Sequence, residues 1–165
     1  MDVNVTLHTK QMKAAFQSLE RSVQRRALRY ATDAAAGVIK KALQASAPVR
    51  SGATKRSIRV KKVKIRGGEK RVIGPSMKEF SLRRTKKGRV RVATKKTAAQ
   101  AFGKHVPGRV AHLVEFGHGG PHRAAPHPWM QPAFKSSVGA ARAKMASKLQ
   151  SEIMKGAERA AAKAR

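Results

Sequence analysis

The feature that most restricts how this chain can fold is its charge. Lysines and arginines number 38 against 8 aspartates and glutamates, a formal net charge of +30 in 165 residues. A compact chain with that surplus repels itself and is at ease only beside a polyanion or an acidic surface. Nucleic acid is the first such partner, because neutralising phosphates releases counterions without any sequence readout. An acidic protein is second, and an anionic membrane surface third. The apolar fraction, 41%, is that of an ordinary globular chain, but aromatic residues make up 4%, with one Trp and one Tyr. A core of Ala, Val and Met buries little area per side chain, at about 25 cal/mol per Å2. Burial against other subunits, as in a ring, is expected to supplement it.

The pattern divides the chain into three zones of one expected domain, residues 1–165. From Thr9 to Ser46, apolar residues at Met12, Phe16, Leu19, Val23, Ala27, Tyr30, Ala34 and Val38 recur in steps of three and four, with Lys13, Arg21, Arg25, Arg29 and Lys40 on the other face. That spacing predicts a helix over residues 9–46. Thr9 is placed to cap its start, and Ala47-Pro48 stops it, since a residue before proline is pushed out of the helical region. Residues 48–120 read as strands and loops. Ser57 to Arg66 alternates apolar and basic residues, Gly67-Gly68 marks a turn, and Arg71 to Gly74 returns. A second hairpin is expected from Phe80 to Ala93, turning at Lys86-Lys87-Gly88. Thr97 to Phe102 reads as a short helix; Val110 to Phe116 reads as a helix or a strand, with the helix preferred. After a proline-punctuated loop, Phe134, Val138, Ala141, Met145, Leu149 and Ile153 predict a helix within residues 129–160. The class is α+β: a long N-terminal helix, a small antiparallel sheet with a projecting basic hairpin, and a long C-terminal helix.

Two constellations stand out. The first is Ala47-Pro48-Val49-Arg50-Ser51-Gly52 with Arg56-Ser57-Ile58, a helix stop, a glycine turn and the start of a basic strand. On physics alone it is a helix–strand connection carrying solvated charge. The second is Val110 to Gly117 with Pro126 to Phe134. Gly117 suits a positive φ at the end of a short element. Glu115 is a lone acid among bases, and such a carboxylate pairs with an arginine or binds a helix N-terminus. Trp129, between prolines, packs the loop ahead of the last helix.

Taken in order, Ala47 to Gly52, Arg56 to Ile58, Val72 to Pro75, Ala111 to Gly117 and His127 to Phe134 resemble the neck and tail-completion proteins of long-tailed bacteriophages. The sequence departs from that pattern in three places. About thirty residues, Ser76 to Val106, separate the third piece from the fourth and contain the basic hairpin; His118 stands where threonine is usual, and Trp129 where phenylalanine is. The resemblance implies a structural virion protein that completes the tail and joins it to the head as a homo-oligomeric ring, a hexamer, around the DNA channel. It implies a head-closure or connector ring and a tail terminator or tail tube as neighbours, with assembly in the host cytoplasm. Its motif residues here are Pro48, Arg50, Gly52, Arg56, Glu115, Phe116, Gly117, Trp129 and Pro132. The expected DNA- or neighbour-facing surface is the hairpin's Arg83, Arg84, Lys86, Lys87, Arg89 and Arg91, touching double-stranded DNA through phosphate alone. The loop from Gly117 to Gln131, with Trp129, is expected to dock on a neighbour.

Other classes are poorly served. There is no cysteine, so disulfides and thiolate metal sites are excluded. His112, His118, His122 and His127 lie close in sequence with Glu115 as the nearby carboxylate, which reads as loop histidines rather than a metal site. A hydrolase built on them would show bound metal. No phosphate-binding loop, nucleophile elbow or stacking aromatic strand is present, and neither an enzyme nor a cofactor is expected. No stretch is apolar enough to span a bilayer, and Met1 to Lys10 lacks a signal-peptide core. The competing reading is a basic cytosolic nucleic-acid-binding module, ribosome-associated or DNA-compacting.

Overall fold

A computed structural model describes residues 13–14, 16–17, 20–49, 51–66, 68–119 and 123–163, and it is α+β as expected. The first long helix, α1, spans Arg21–Ser46. Residues 13, 14, 16 and 17 are helical, but Glu20 is not, so the helix expected to run unbroken from 9 to 46 is interrupted there. The break is bridged by the Gln24 amide, whose Nε2 donates to the carbonyls of Phe16 (3.0 Å) and Gln17 (3.4 Å). The Glu20 carbonyl accepts the Gln24 N–H at 3.0 Å and opens α1. Thr9, Met12 and Leu19, expected in this helix, lie outside the described residues. The buried stripe of α1 is Ala27, Ala31, Ala36 and Leu43, continued by Ala47. Tyr30, expected in it, is 42% exposed. The stripe follows the four-residue step to Ala31, which leaves the ring at the edge of the buried row. Arg29 and Lys148 sit over the ring, 5.5 and 5.9 Å from its centroid.

Helix α1 stops before Pro48 as predicted. Gly52, at φ 77, turns the chain into a short helix, α2 (Ala53–Ser57). Strands β1 (Ile58–Ile65) and β2 (Gly68–Pro75) follow and form a two-stranded sheet; Gly67, expected at the turn, lies outside the described residues. A second sheet has the order β4-β3-β5, with β3 Phe80–Arg84, β4 Val90–Val92 and β5 Ala101–His105. The hairpin of β3 and β4 is the predicted one. The helix expected over Thr97–Phe102 is not there: a 3-10 helix spans Lys95–Gln100, capped by Thr94, and Ala101 begins β5. The free edge of β3 supplies hydrogen-bond partners that local propensity does not register.

Helix α3 (Pro107–Phe116) confirms the preferred reading of that segment, with proline in its first turn, where the missing N–H costs nothing. Helix α4 spans Met130–Lys163. Its buried row begins with Ala133, Ser137 and Ala141, while Phe134, predicted to lead that face, is 47% exposed. The chain gathers into two compact units. One takes residues 1–38, 61–72 and 138–165; the other takes 39–60 and 73–137.

In the first unit, Arg71 is the organising cation. Its side chain is 4% exposed; Nε meets Asp33 Oδ1 at 2.6 Å and Nη1 meets Glu69 Oε2 at 2.7 Å, while Lys62 reaches Asp33 Oδ2 at 3.0 Å. Burial pushes the Asp33 carboxyl up, but Arg71 and Lys62 outweigh it and hold it below the usual range. The second unit has a hydrophobic core of Leu43, Ala47, Ile58, Ala111, Trp129 and Ala133, flanked by Ile39, Ile73, Val114 and Met130.

Candidate functional site

That core explains why five separated sequence pieces form a set. Ala47 comes from the first piece, Ile58 from the second, Ile73 from the third, Ala111 and Val114 from the fourth, and Trp129, Met130 and Ala133 from the fifth. They are the walls of one packed volume, so their spacing is constrained jointly. Trp129 is 3% exposed within it. Its side chain therefore packs its own unit instead of docking on a neighbour, and its Nε1 is buried without a hydrogen-bond partner. Among the residues that face out from these pieces are Phe116 at 75%, Val49 at 64%, Val72 and Phe134 at 47% each, Arg56 and Pro132. Pro48 is half-buried, and Arg50 lies outside the described residues.

Glu115 ties α3 to the start of α4. Its Oε2 accepts the N–H groups of Trp129 (2.8 Å) and Met130 (2.9 Å), and Oε1 accepts that of Gln131 (3.1 Å). The next residue, Pro132, has no N–H, so every donor of the helix start that lacks a carbonyl within α4 is accounted for. Of the two partners expected for this acid, an arginine or a helix N-terminus, the structure shows the helix N-terminus. Burial pushes the Glu115 carboxyl up; the three backbone donors, with His127 nearby, outweigh it and hold the group below the ordinary range. The described residues between the helices are pinned as well. Gly117, at φ 73 and ψ 174, leads into a bridge in which His118 and Ala124 exchange N–H···O bonds of 3.1 Å, and the His127 N–H donates to the Val114 carbonyl at 2.8 Å. A Cβ on Gly117 would lie 2.8 Å from the Ala124 oxygen and the Pro126 nitrogen.

The basic hairpin has a different character. Its turn closes with the Gly88 N–H on the Thr85 carbonyl and the Thr85 N–H on the Arg89 carbonyl, both 2.9 Å. Gly88 takes φ 72, the left-handed position that follows a type I turn in such loops. Lys86, Lys87 and Arg89 are exposed there. The register sets Leu82 opposite Val92, Arg83 opposite Arg91 and Arg84 opposite Val90; on the other edge it sets Phe80 opposite His105, Ser81 opposite Lys104, Leu82 opposite Gly103 and Arg83 opposite Ala101. Paired residues share a face. One face therefore carries Ser81, Arg83, Arg91, Ala101 and Lys104. The other carries Phe80, Leu82, Arg84, Val90, Val92, Gly103 and His105, and Val92 is buried. An irregularity between Leu82 and Arg83 passes over Phe102; Arg84 stands above its ring, 5.8 Å from the centroid. So the six predicted cations divide: Arg83 and Arg91 on one face, Arg84 stacked on Phe102, and three at the turn.

Sequence reasoning missed Ser81 and Lys104 on the cationic face, because Lys104 belongs to the unforeseen β5. It also missed the Arg71 cluster, whose partner Asp33 is 38 residues away. Among the described residues no group of three or more His, Asp or Glu is placed to hold a metal ion; His122 lies outside them. Among them, too, no helix is long and apolar enough to cross a membrane.

A model of the protein family described as "Bacteriophage HK97-gp10, putative tail-component" matches residues 10–117, more than half of the chain. The match takes in α1 through α3 and ends at Gly117, ahead of Trp129 and α4. No curated protein and no solved structure matches the chain.

Proposed function

The chain belongs to this family of bacteriophage tail components, and from that membership we propose that it completes the tail at the neck of the virion, joining it to the head as a homo-oligomeric ring, six copies around the DNA channel. A structural part in the tail, and hence a place in the virion, follows from the family itself. The neck position, the ring and the joining role are the proposal. Its neighbours are then a head-closure or connector ring on one side and the tail terminator or tail tube on the other, with assembly in the host cytoplasm and no catalytic step.

The observation that carries the proposal is uncompensated charge. Among the described residues, ion pairs engage Lys62, Arg71, Lys104 and Lys148, and the formal net charge of the chain is +30. A surface left that positive suits a subunit held against DNA or an acidic neighbouring ring, where self-repulsion turns into attraction. The exposed Phe116 and Val49 give such a subunit apolar contacts to bury against the next copy.

The test is a phage carrying a stop codon early in this gene. Electron microscopy of the lysate is expected to show DNA-filled heads and separate tails, with joining restored when purified protein is added. Normally joined particles in the absence of the protein would defeat the joining role. Absence of the protein from purified wild-type particles would favour the free nucleic-acid binder instead.

A further inference from the structure

The register of the second sheet holds two guanidinium-bearing residues directly opposite each other, Arg83 on β3 and Arg91 on β4. Like charges in that relation destabilise a sheet. Nothing among the described residues relieves the pair: Glu79, just ahead of β3, is engaged by Lys104 at 3.0 Å. Arg83 carries a second unfavourable feature, since its Nε is buried and has no hydrogen-bond partner. With Arg91 exposed and Arg83 half-buried beside it, a pair that is unfavourable in the free chain becomes favourable once an anion accepts from the outer ends of both guanidinium groups.

The rest of the face says which anion. Beside the pair stand Ser81, Lys104 and Ala101, which amount to one hydroxyl, one further cation that is shared with the Glu79 carboxylate, and a methyl group. Stable protein partners are anchored by aromatic or large aliphatic side chains, and no paired position on this face carries one. Phe80, Leu82, Val90 and Val92 are on the opposite side, and Phe102, which the irregularity leaves unpaired, has its ring taken by Arg84. Cations and hydroxyls without a pocket are the groups that hold a phosphate backbone without reading bases. We propose that Arg83 and Arg91, with Ser81 and Lys104 beside them, form a binding site for the phosphodiester backbone of double-stranded DNA, one phosphate seated between the two guanidinium groups. The proposal rests on the reading of the hairpin as a DNA- or neighbour-facing surface. It narrows that surface to one face of the sheet and chooses DNA; the turn lysines and Arg84 fall outside the site.

The experiment measures binding of the full chain to a mixed-sequence 30-base-pair duplex by fluorescence anisotropy across a salt series. Wild type is compared with R83Q/R91Q and with K86Q/K87Q, which removes the same charge from the turn. Each lost phosphate contact lowers the slope of log K against log salt by about 0.9, so R83Q/R91Q, which empties one phosphate seat, should lower it by about 0.9 and weaken binding about 5- to 10-fold near physiological salt. K86Q/K87Q should change both by less than half as much. The melting temperature of R83Q/R91Q should equal or exceed that of wild type, because the opposed charges are gone. An unchanged salt slope, an equal or larger effect of K86Q/K87Q, or a lowered melting temperature would each overturn the site. So would loss of binding to poly-glutamate with duplex binding intact, which would give the face to an acidic protein. Incorporation into particles is scored separately: wild-type protein missing from virions defeats the tail reading whatever the duplex result.

Discussion

Replacing Glu115 tests whether the junction of α3 and α4 is held as the geometry indicates. The carboxylate is 4% exposed and accepts three backbone donors at 2.8, 2.9 and 3.1 Å. Glu115→Gln preserves the shape but leaves one oxygen. If that oxygen takes the place of Oε2, Trp129 and Met130 keep a neutral acceptor, while the Gln131 N–H faces an NH2 group. Losing one bond and the charge assistance of two more costs about 2–3 kcal/mol, against about 1.5–3 kcal/mol for a single hydrogen bond to a charged group. Relief of carboxylate desolvation keeps the figure from rising further. Glu115→Ala strands all three donors and should cost about 3–4 kcal/mol. For a chain of this size, 1 kcal/mol moves the melting temperature by roughly 2–4 °C, so Glu115→Gln should melt about 4–12 °C below wild type. Urea titration at neutral pH reads the free energy directly. The pH dependence is the sharper check. The folded-state value of Glu115 is depressed, so its contribution is complete above the unfolded value, near 4.5, and disappears as pH falls through the folded value. The gap between wild type and Glu115→Gln should therefore be constant from pH 7 to about 5 and close in stronger acid. The other depressed carboxyls, Asp33 and Glu152, titrate in both proteins and cancel in the difference. A cost below about 0.5 kcal/mol at pH 7, within the range of an ordinary surface change, would refute the reasoning. So would a gap that persists unchanged at pH 3.

Gly117→Ala should destabilise by about 2–4 kcal/mol in the same assay, because φ 73 with ψ 174 is a region closed to side chains and the added Cβ meets the Ala124 oxygen at 2.8 Å. Trp129→Phe should stay within about 1 kcal/mol of wild type, since the lost packing is offset by removal of a buried N–H without a partner. Trp129→Ala, by contrast, should cost about 3–5 kcal/mol. Arg71→Ala should cost about 2–3 kcal/mol, less than a fully buried pair because Asp33 keeps Lys62 and some water. Arg71→Lys should recover less than half of that, because one ammonium cannot reproduce the Nε and Nη1 contacts to two acids; equal stability of Arg71→Lys and wild type would contradict this.

Much of the fold is local and was therefore legible in the residues. Proline at 48 ends α1 because of its own ring, Gly88 turns the hairpin because it alone tolerates the left-handed position, and three- and four-residue spacing marks α4 whatever it packs against. Being a lone acid in a basic stretch narrowed Glu115 to an arginine partner or a helix N-terminus, and the fold chose the second. Other features needed the chain folded. Strand β5 exists because β3 offers it an edge, and no periodicity within Ala101–His105 announces that. Arg71 is buried because Asp33 and Glu69 meet it, and Tyr30 and Phe134 lie outside their expected stripes because one helical step decides which row is covered. The charge is the clearest case. By itself +30 required a polyanion or acidic partner and nothing more specific, since net charge has no direction. Which arginines stand together was decided by strand register, a relation between segments that hydrogen bonding sets and composition does not contain.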